Sequence, residues 1–206
     1  MPSAAPLLTL ASESPRRREL LRQIGVAHLV SAADIDETVR EGETPADYVV
    51  RMACAKARAV RARATGLPVL AADTTVVIDG LILAKPNDRA EGLAMLGRLS
   101  GRTHQVLTAV ALATASGVTF RLSASEVRMR AVTPQECAAY WESGEPRDKA
   151  GGYAIQGRGA LFIEHLSGSF SGVMGLPLYE TGQLLAAAGL AFWPHDGSIP
   201  SGRAPA

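Results

Sequence analysis

The sequence is poor in the residues from which several common kinds of site are built. Its two cysteines, Cys54 and Cys137, are far apart and belong to no CxxC or metal-spaced pair. A disulfide framework and a thiolate zinc site are therefore excluded, and two reduced, semi-buried thiols in a reducing compartment are expected. The four histidines (His28, His104, His165, His195) lack ligand spacing and receive no role, and no Ser/Cys–His pattern supports covalent catalysis. Aromatic residues make up only 5% of the chain, and Tyr140, Trp141 and the scattered phenylalanines read as core rather than as a base-stacking platform. No stretch reaches the roughly 18–20 apolar residues of a membrane span, and no basic segment followed by an apolar run opens the chain. A soluble, cytoplasmic protein without a membrane partner is expected. Charge of one sign is also missing: net charge is +1, which argues against sequence-independent nucleic-acid binding, so any anion site must be local.

Lysine is scarce too. Of 21 basic residues only Lys56, Lys85 and Lys149 are lysine, the rest arginine. In such a chain a retained lysine marks either chance or a site that needs a compact ammonium rather than a planar fork.

What is present suits one α/β domain in 206 residues. Leu7–Leu10 reads as a strand and Pro15–Ile24 as a helix stopped by Gly25. Leu29–Ala32 reads as a second strand, followed by an acidic loop holding Asp34, Asp36, Glu37, Glu41 and Glu43. Thr44-Pro45 opens a helix running to about Ala64, as an N-cap with proline at the first helical position. Pro68–Ala72 reads as a buried strand ending at Asp73. A hairpin turns at Asp79-Gly80, and a helix spans Asp88–Leu99. Two long strands, Val106–Ala113 and Val118–Met129, meet at Ser116-Gly117. Thr133-Pro134-Gln135-Glu136 is a capping box for a helix to Ser143, Tyr153–Ile163 holds strand-like pieces, and Leu178–Ala188 is the last helix. After Trp193 the composition is Pro, Gly, Ser and Ala, so disorder is expected over 192–206. The alternation predicts an α/β fold with a mixed sheet.

Three places carry chemistry. In Ser12-Glu13-Ser14-Pro15-Arg16-Arg17-Arg18, Ser14 is a good N-cap, yet the three following arginines oppose the helix dipole by about 0.3–1 kcal/mol each. A bound anion removes the conflict, since backbone N–H groups, hydroxyls and guanidinium forks make a phosphate cradle at the end of a strand. The alternative is a solvated arginine cluster. Asp73, followed by Thr74 and Thr75, comes after the acidic loop in the chain. Two carboxylates from separate segments suit a divalent cation held against a triphosphate, and one of them can activate water. Lys85 follows the hairpin and can return to the same mouth. The glycines of 151–159 and 172–175 allow close backbone approach to a ligand, or simply make tight turns. Within the first of these, Gln156 offers a donor and an acceptor to a base edge. Neither a Walker A loop nor a GxGxxG turn is present.

In order along the chain, Leu10-Ala11-Ser12-Glu13-Ser14-Pro15-Arg16-Arg17-Arg18-Glu19-Leu20-Leu21, Ala72-Asp73-Thr74, Lys85-Pro86, Met95–His104, Asp148-Lys149-Ala150-Gly151-Gly152-Tyr153, Ile155-Gln156-Gly157 and Gly175-Leu176-Pro177 resemble the Maf family of nucleotide pyrophosphatases. The resemblance spans roughly Leu7 to Leu185. It implies a fold like that of inosine-triphosphate pyrophosphatases: an elongated mixed β-sheet flanked by helices, with a cleft between two lobes, over residues 1–191. It implies hydrolysis of a nucleoside triphosphate to monophosphate and pyrophosphate with a divalent cation, Mg²⁺ or Mn²⁺. Asp73 as proton acceptor and Lys85 would be the catalytic residues, and Glu37 with Asp73 would hold the metal. The segment around Glu37 matches more loosely, and Asp36 is the alternative. Ser12, Arg17, Lys56 and Lys85 would hold phosphates. Arg16, Thr74 and Gln156 match the subgroup acting on dTTP and UTP, while a subgroup acting on 7-methyl-GTP carries tryptophan, glutamine and glutamate there. Glu13 departs from the small or polar residue usual at its position. The resemblance also implies a homodimer. A rival expectation is a nucleotide-binding regulator of septum formation without turnover.

Overall fold

The structure is a computed structural model, which describes residues 5–64 and 66–192. The expected tail therefore lies outside the described residues except for Phe192, which packs beside Gly182 against the hydrophobic cluster under the last helix.

Among the described residues seven strands form one mixed sheet: β1 (Leu8–Leu10), β2 (His28–Val30), β3 (Val69–Ile78), β4 (Leu81–Leu83), β5 (Thr103–Thr114), β6 (Gly117–Met129) and β7 (Ile163–Ser167). Their order is β2-β1-β3-β5-β6-β7, with β4 also on β3. β1 is parallel to β2 and β3; the remaining pairs are antiparallel. Among the described residues six helices flank the sheet: α1 (Pro15–Gln23), α2 (Pro45–Arg61), α3 (Arg89–Leu99), α4 (Pro134–Glu142), α5 (Phe170–Met174) and α6 (Leu178–Ala187). The elongated mixed sheet with flanking helices is the expected fold class.

Helix starts follow local chemistry. Thr44 caps α2 through the Asp47 N–H, Asp88 caps α3 through the Glu91 N–H, and Thr133 and Glu136 close the expected capping box at α4. Two expectations fail. β3 does not end at Asp73 but continues to Ile78, because β5 pairs with it from Val69 to Val77. Between Tyr153 and Ile163 there is no strand: the chain makes a 3-10 turn at Ala150–Gly152 just before this stretch and another at Arg158–Phe162 within it, and β7 begins only at Ile163. The glycines there, at positions 151, 152, 157 and 159, favour turns over ladder pairing. Gly151, at φ 68, lies so close to β3 that a Cβ would come within about 3 Å of Val76.

β3 organises the cleft. One edge is paired with β5 along nearly its full length. On the other edge β1 pairs only with Val69 and Leu70, and β4 only with Val76 to Ile78. Between them, among the described residues, Ala71–Thr75 has no strand neighbour on that side. The sheet is split there into two lobes. On one face α2 spans the sheet, with Val49, Met52, Ala53, Ala57 and Val60 packed on Ala71, Ala109, Ala111 and Ala113; the small residues let the helix approach closely. On the other face the core is in two parts, one under α1 and α6 and one under α3 and α4.

Candidate active site

Residues alternate between the faces of a strand, so neighbours in β3 serve opposite sides of the gap. Asp73 faces α2, and Lys56 on the buried face of that helix donates from Nζ to Asp73 Oδ1 at 2.7 Å. The same Nζ lies 2.7 Å from Glu37 Oε1, so one ammonium bridges two carboxylates. Whether α2 flanks the mouth is invisible in sequence; the structure puts it there. Thr74 faces α1, and the hydroxyl of Thr108, its register partner on β5, donates to its oxygen at 3.0 Å.

Arg17, from the first turns of α1, crosses to that face. Its Nε donates to the Gly175 carbonyl at 2.7 Å, its Nη1 to Ser12 Oγ at 3.2 Å and its Nη2 to Thr74 Oγ1 at 3.3 Å. Gly175 sits at φ 113 beyond α5, a left-handed conformation natural to glycine. Ser12 Oγ also accepts the Ser14 N–H at 3.2 Å. Ser14 makes no side-chain cap, and the first turn of α1 holds no acid. The helix thus presents free N–H groups and a positive dipole end to the cleft.

The cleft encloses about 560 Å³. Its lining includes Ser12, Arg16, Arg17, Glu37, Lys56, Asp73, Thr74, Lys85 and Gln156 together, so the residues singled out in sequence share one wall system. Arg18 does not line it, since it points another way round the helix. Asp36 does not line it either: its Oδ1 accepts from the Thr38 N–H and hydroxyl at 2.9 and 2.6 Å, and Glu37 is the acid of the loop that faces the cleft. Glu13 lines the cleft mouth as an exposed acid. Lys149, left without a role by its sequence context, also lines the cleft and donates to Asp148 Oδ1 at 2.5 Å and to the Glu145 carbonyl at 2.7 Å. Asp148 Oδ2 lies 3.7 Å from Arg16. Lysine scarcity was the signal that could have found Lys149.

The electrostatics follow from burial and pairing. Burial pushes the Asp73 carboxyl up from its ordinary value, against the pull of Lys56 and Arg17. Burial acts upward on Glu37 as well, but the bond to Lys56 and the charges of Lys56, Lys85 and Arg17 hold it below the usual range. Burial lowers Arg17, opposed by Asp73. Tyr48, whose hydroxyl donates to the Glu37 carbonyl at 3.1 Å, is pushed up to about 12 by burial and by Asp73 and Glu37. Around Lys56 the cleft therefore holds two carboxylates of unlike proton affinity, Asp73 and Glu37, with Arg16, Arg17 and Lys85 also on its lining.

Behind the wall, His104 bonds Tyr153 Oη at 2.7 Å and is buried. Both cysteines are free and buried, and Tyr140 and Trp141 are core. Phe120 and Phe170 are not; both are about half exposed, away from the cleft.

Comparison with known proteins shows the family. The family model described as Maf-like protein matches residues 7–188. A protein of Methylobacillus flagellatus named dTTP/UTP pyrophosphatase is 54% identical over 88% of this chain and 92% of its own. One of Burkholderia pseudomallei with the same name is 55% identical over 91% and 96%. Another with that name, from Saccharophagus degradans, is 52% identical over 90% of each chain. Among solved structures, the Staphylococcus aureus Ham1 protein overlaps at 16% identity and TM-score 0.41, covering 59% of this chain and 71% of that one, a likeness too slight to argue from. With the family model matched across nearly all the described residues, and relatives above half identity along most of the chain, the chain belongs to the Maf-like protein family.

Proposed function

We propose that this chain hydrolyses dTTP and UTP between the α- and β-phosphates, releasing the nucleoside monophosphate and pyrophosphate; its relatives are named dTTP/UTP pyrophosphatases. The observation that carries the reading is the gap in the sheet, where Asp73, Lys56 and Glu37 meet within hydrogen-bond distance and Arg17 spans the opposite wall. A pure binding protein has no need of a buried carboxylate whose proton affinity is raised.

Asp73 is the proton acceptor for the attacking water. Its raised affinity brings it nearer the range in which a base works at neutral pH, and Lys56 and Arg17 favour its anionic form. Arg17, Lys56, Lys85 and Ser12, with the N-terminus of α1, bind and orient the triphosphate. Arg16 and Gln156, which also line the cleft, are the groups that select the base. Gln156 is exposed and makes no hydrogen bond among the described residues, so both polarities of its amide are free for a uracil-type edge.

Asp73 and Glu37 fit a divalent cation of the magnesium type. Both are oxygen donors that already reach one cationic atom, and the Glu37 side chain is half exposed, which leaves room for water and phosphate. With two carboxylates, an ion of this kind would complete its shell with water and phosphate oxygens. Bound there, Mg²⁺ or Mn²⁺ would neutralise charge on the triphosphate. We read 1–191 as one catalytic domain acting on free nucleotides in the cytoplasm as a homodimer. No helix among the described residues is long and apolar enough to cross a membrane.

The test is pyrophosphate release with Mg²⁺ from dTTP, UTP, CTP, GTP and 7-methyl-GTP. Selective turnover of dTTP and UTP is expected, with a loss of about a hundredfold or more in Asp73→Asn. Turnover of 7-methyl-GTP alone would overturn the base assignment. Nucleotide binding without turnover would favour the regulatory reading.

A further inference from the structure

The turn that carries Gln156 is held by two side chains from a different part of the chain. The Ala154 N–H donates to Tyr140 Oη at 3.0 Å, and that hydroxyl in turn donates to Glu145 Oε1 at 2.7 Å. Glu145 Oε1 also accepts the Gly159 N–H at 3.1 Å, and Oε2 accepts the Arg158 N–H at 2.9 Å. Three backbone donors, two residues before Gln156 and two and three after it, thus converge on one hydroxyl and one carboxylate. The fit is close: a Cβ on Gly157 would lie 2.3 Å from Glu145 Oε2, and one on Gly159 would lie 2.7 Å from Tyr140 Oη. Glu145 itself is placed by Gly144, which ends the α4 segment in the left-handed conformation at φ 77, and Lys149 donates to the Glu145 carbonyl.

The contrast along the turn is the point. Its backbone is tied on both sides, while the Gln156 side chain at its tip is exposed and unbonded among the described residues. A flexible amide selects poorly, because each unbound position and orientation has to be given up when the ligand binds. Fixing the backbone beneath it removes most of that cost, the effect of supporting groups on a binding residue. Tyr140 is buried, and neither Tyr140 nor Glu145 lines the cleft, so the two act through Gln156 and not on the substrate.

From this geometry we infer that Glu145, with Tyr140, is a positioning residue for base recognition, holding the Gln156 turn at the height where its amide meets the pyrimidine. The inference rests on the proposed base-reading role of Gln156. It separates two parts of binding: the phosphates are held by α1, Lys56 and Lys85, and the base by a clamp that α4 and the turn after it supply.

The test compares UTP with inorganic triphosphate, which has the phosphates and no base. Glutamine at position 145 is nearly isosteric, but it replaces one acceptor oxygen with a donor and cannot serve all three of its partners. In Glu145→Gln, KM for UTP should rise about tenfold, the loss of roughly one good hydrogen bond. Neither kcat nor the inhibition constant of inorganic triphosphate should change by more than about twofold, because the phosphate groups are untouched. Tyr140→Phe removes only the hydroxyl and keeps the edge-on packing against Phe162 at 5.2 Å; it should give the same split, and its result stands alone if the first variant does not fold. An unchanged KM for UTP in a folded variant overturns the inference. So does a rise in the inhibition constant of inorganic triphosphate in step with KM, since that is general disruption. A wild-type protein that does not turn over UTP is a separate result, which fails the proposed function.

Discussion

Lys56 decides more than any other single residue in the cleft. It is buried on α2 and bonded to a buried Asp73 and a half-exposed Glu37. Removing one member of a buried pair leaves the other charge unmatched, at a cost of about 3–5 kcal/mol in comparable cases. Lys56→Met should therefore lose activity and also lose about 3 kcal/mol of stability at neutral pH. The sign of its pH dependence is set by Asp73, whose carboxyl is already pushed up by burial. Without Lys56 it rises further, and the unmatched charge is relieved once Asp73 takes a proton. Urea denaturation of both proteins at pH 7.5 and pH 5 should show the gap between them shrinking toward the lower pH; an equal gap at both would mean that Lys56 acts through packing alone. Asp73, Lys56 and Lys85 were visible in sequence because a lysine in an arginine-rich chain and an acid near a strand are unusual. Thr108 was not, because a threonine in a strand carries no local mark.

At the scale of elements, most helix boundaries were legible, since caps and first-turn prolines act within four residues. The strands were less so. β3 was expected to stop at its aspartate and runs on to Ile78. It continues because β5 pairs with it as far as Val77, while Lys56 of α2 matches the buried aspartate. The helix pair α3 and α4 supplies a case where local and tertiary preferences have opposite sign. Gly92 lies inside α3, where alanine is favoured by about 1 kcal/mol. A Cβ there would sit 2.1 Å from the Trp141 ring of α4. Overpacking of that kind costs about 1–3 kcal/mol, so Gly92→Ala should lower the melting temperature; a rise would mean that α4 can shift aside.

For the molecule as a whole, His104 links the sheet to the loops over the cleft, through Tyr153. It is 2% exposed, and burial lowers its pKa to about 4. The ring is thus neutral when folded and charged when unfolded over the interval from about 4 to 6.5. The unfolded chain binds the extra proton there, so this contribution is complete above pH 6.5 and is lost as pH falls toward 4, by about 3 kcal/mol in all. In His104→Gln the loss of stability between pH 7 and pH 4.5 should be smaller than in the wild type; equal slopes would refute the assignment. What the sequence determined by itself is what acts over a few residues or repeats with a fixed period: the capped helices, the hairpin at Asp79-Gly80, the buried strands and the motif order that marks the family. Tertiary structure alone decided the split in the sheet between β1 and β4, the approach of Lys56 to Asp73, that Glu37 and not Asp36 lines the cleft, and the bonds that tie the Gln156 turn to Tyr140 and Glu145. Each of these is a contact between segments distant in the chain or a choice between adjacent side chains, and its energy depends on packing that no local pattern of residues encodes.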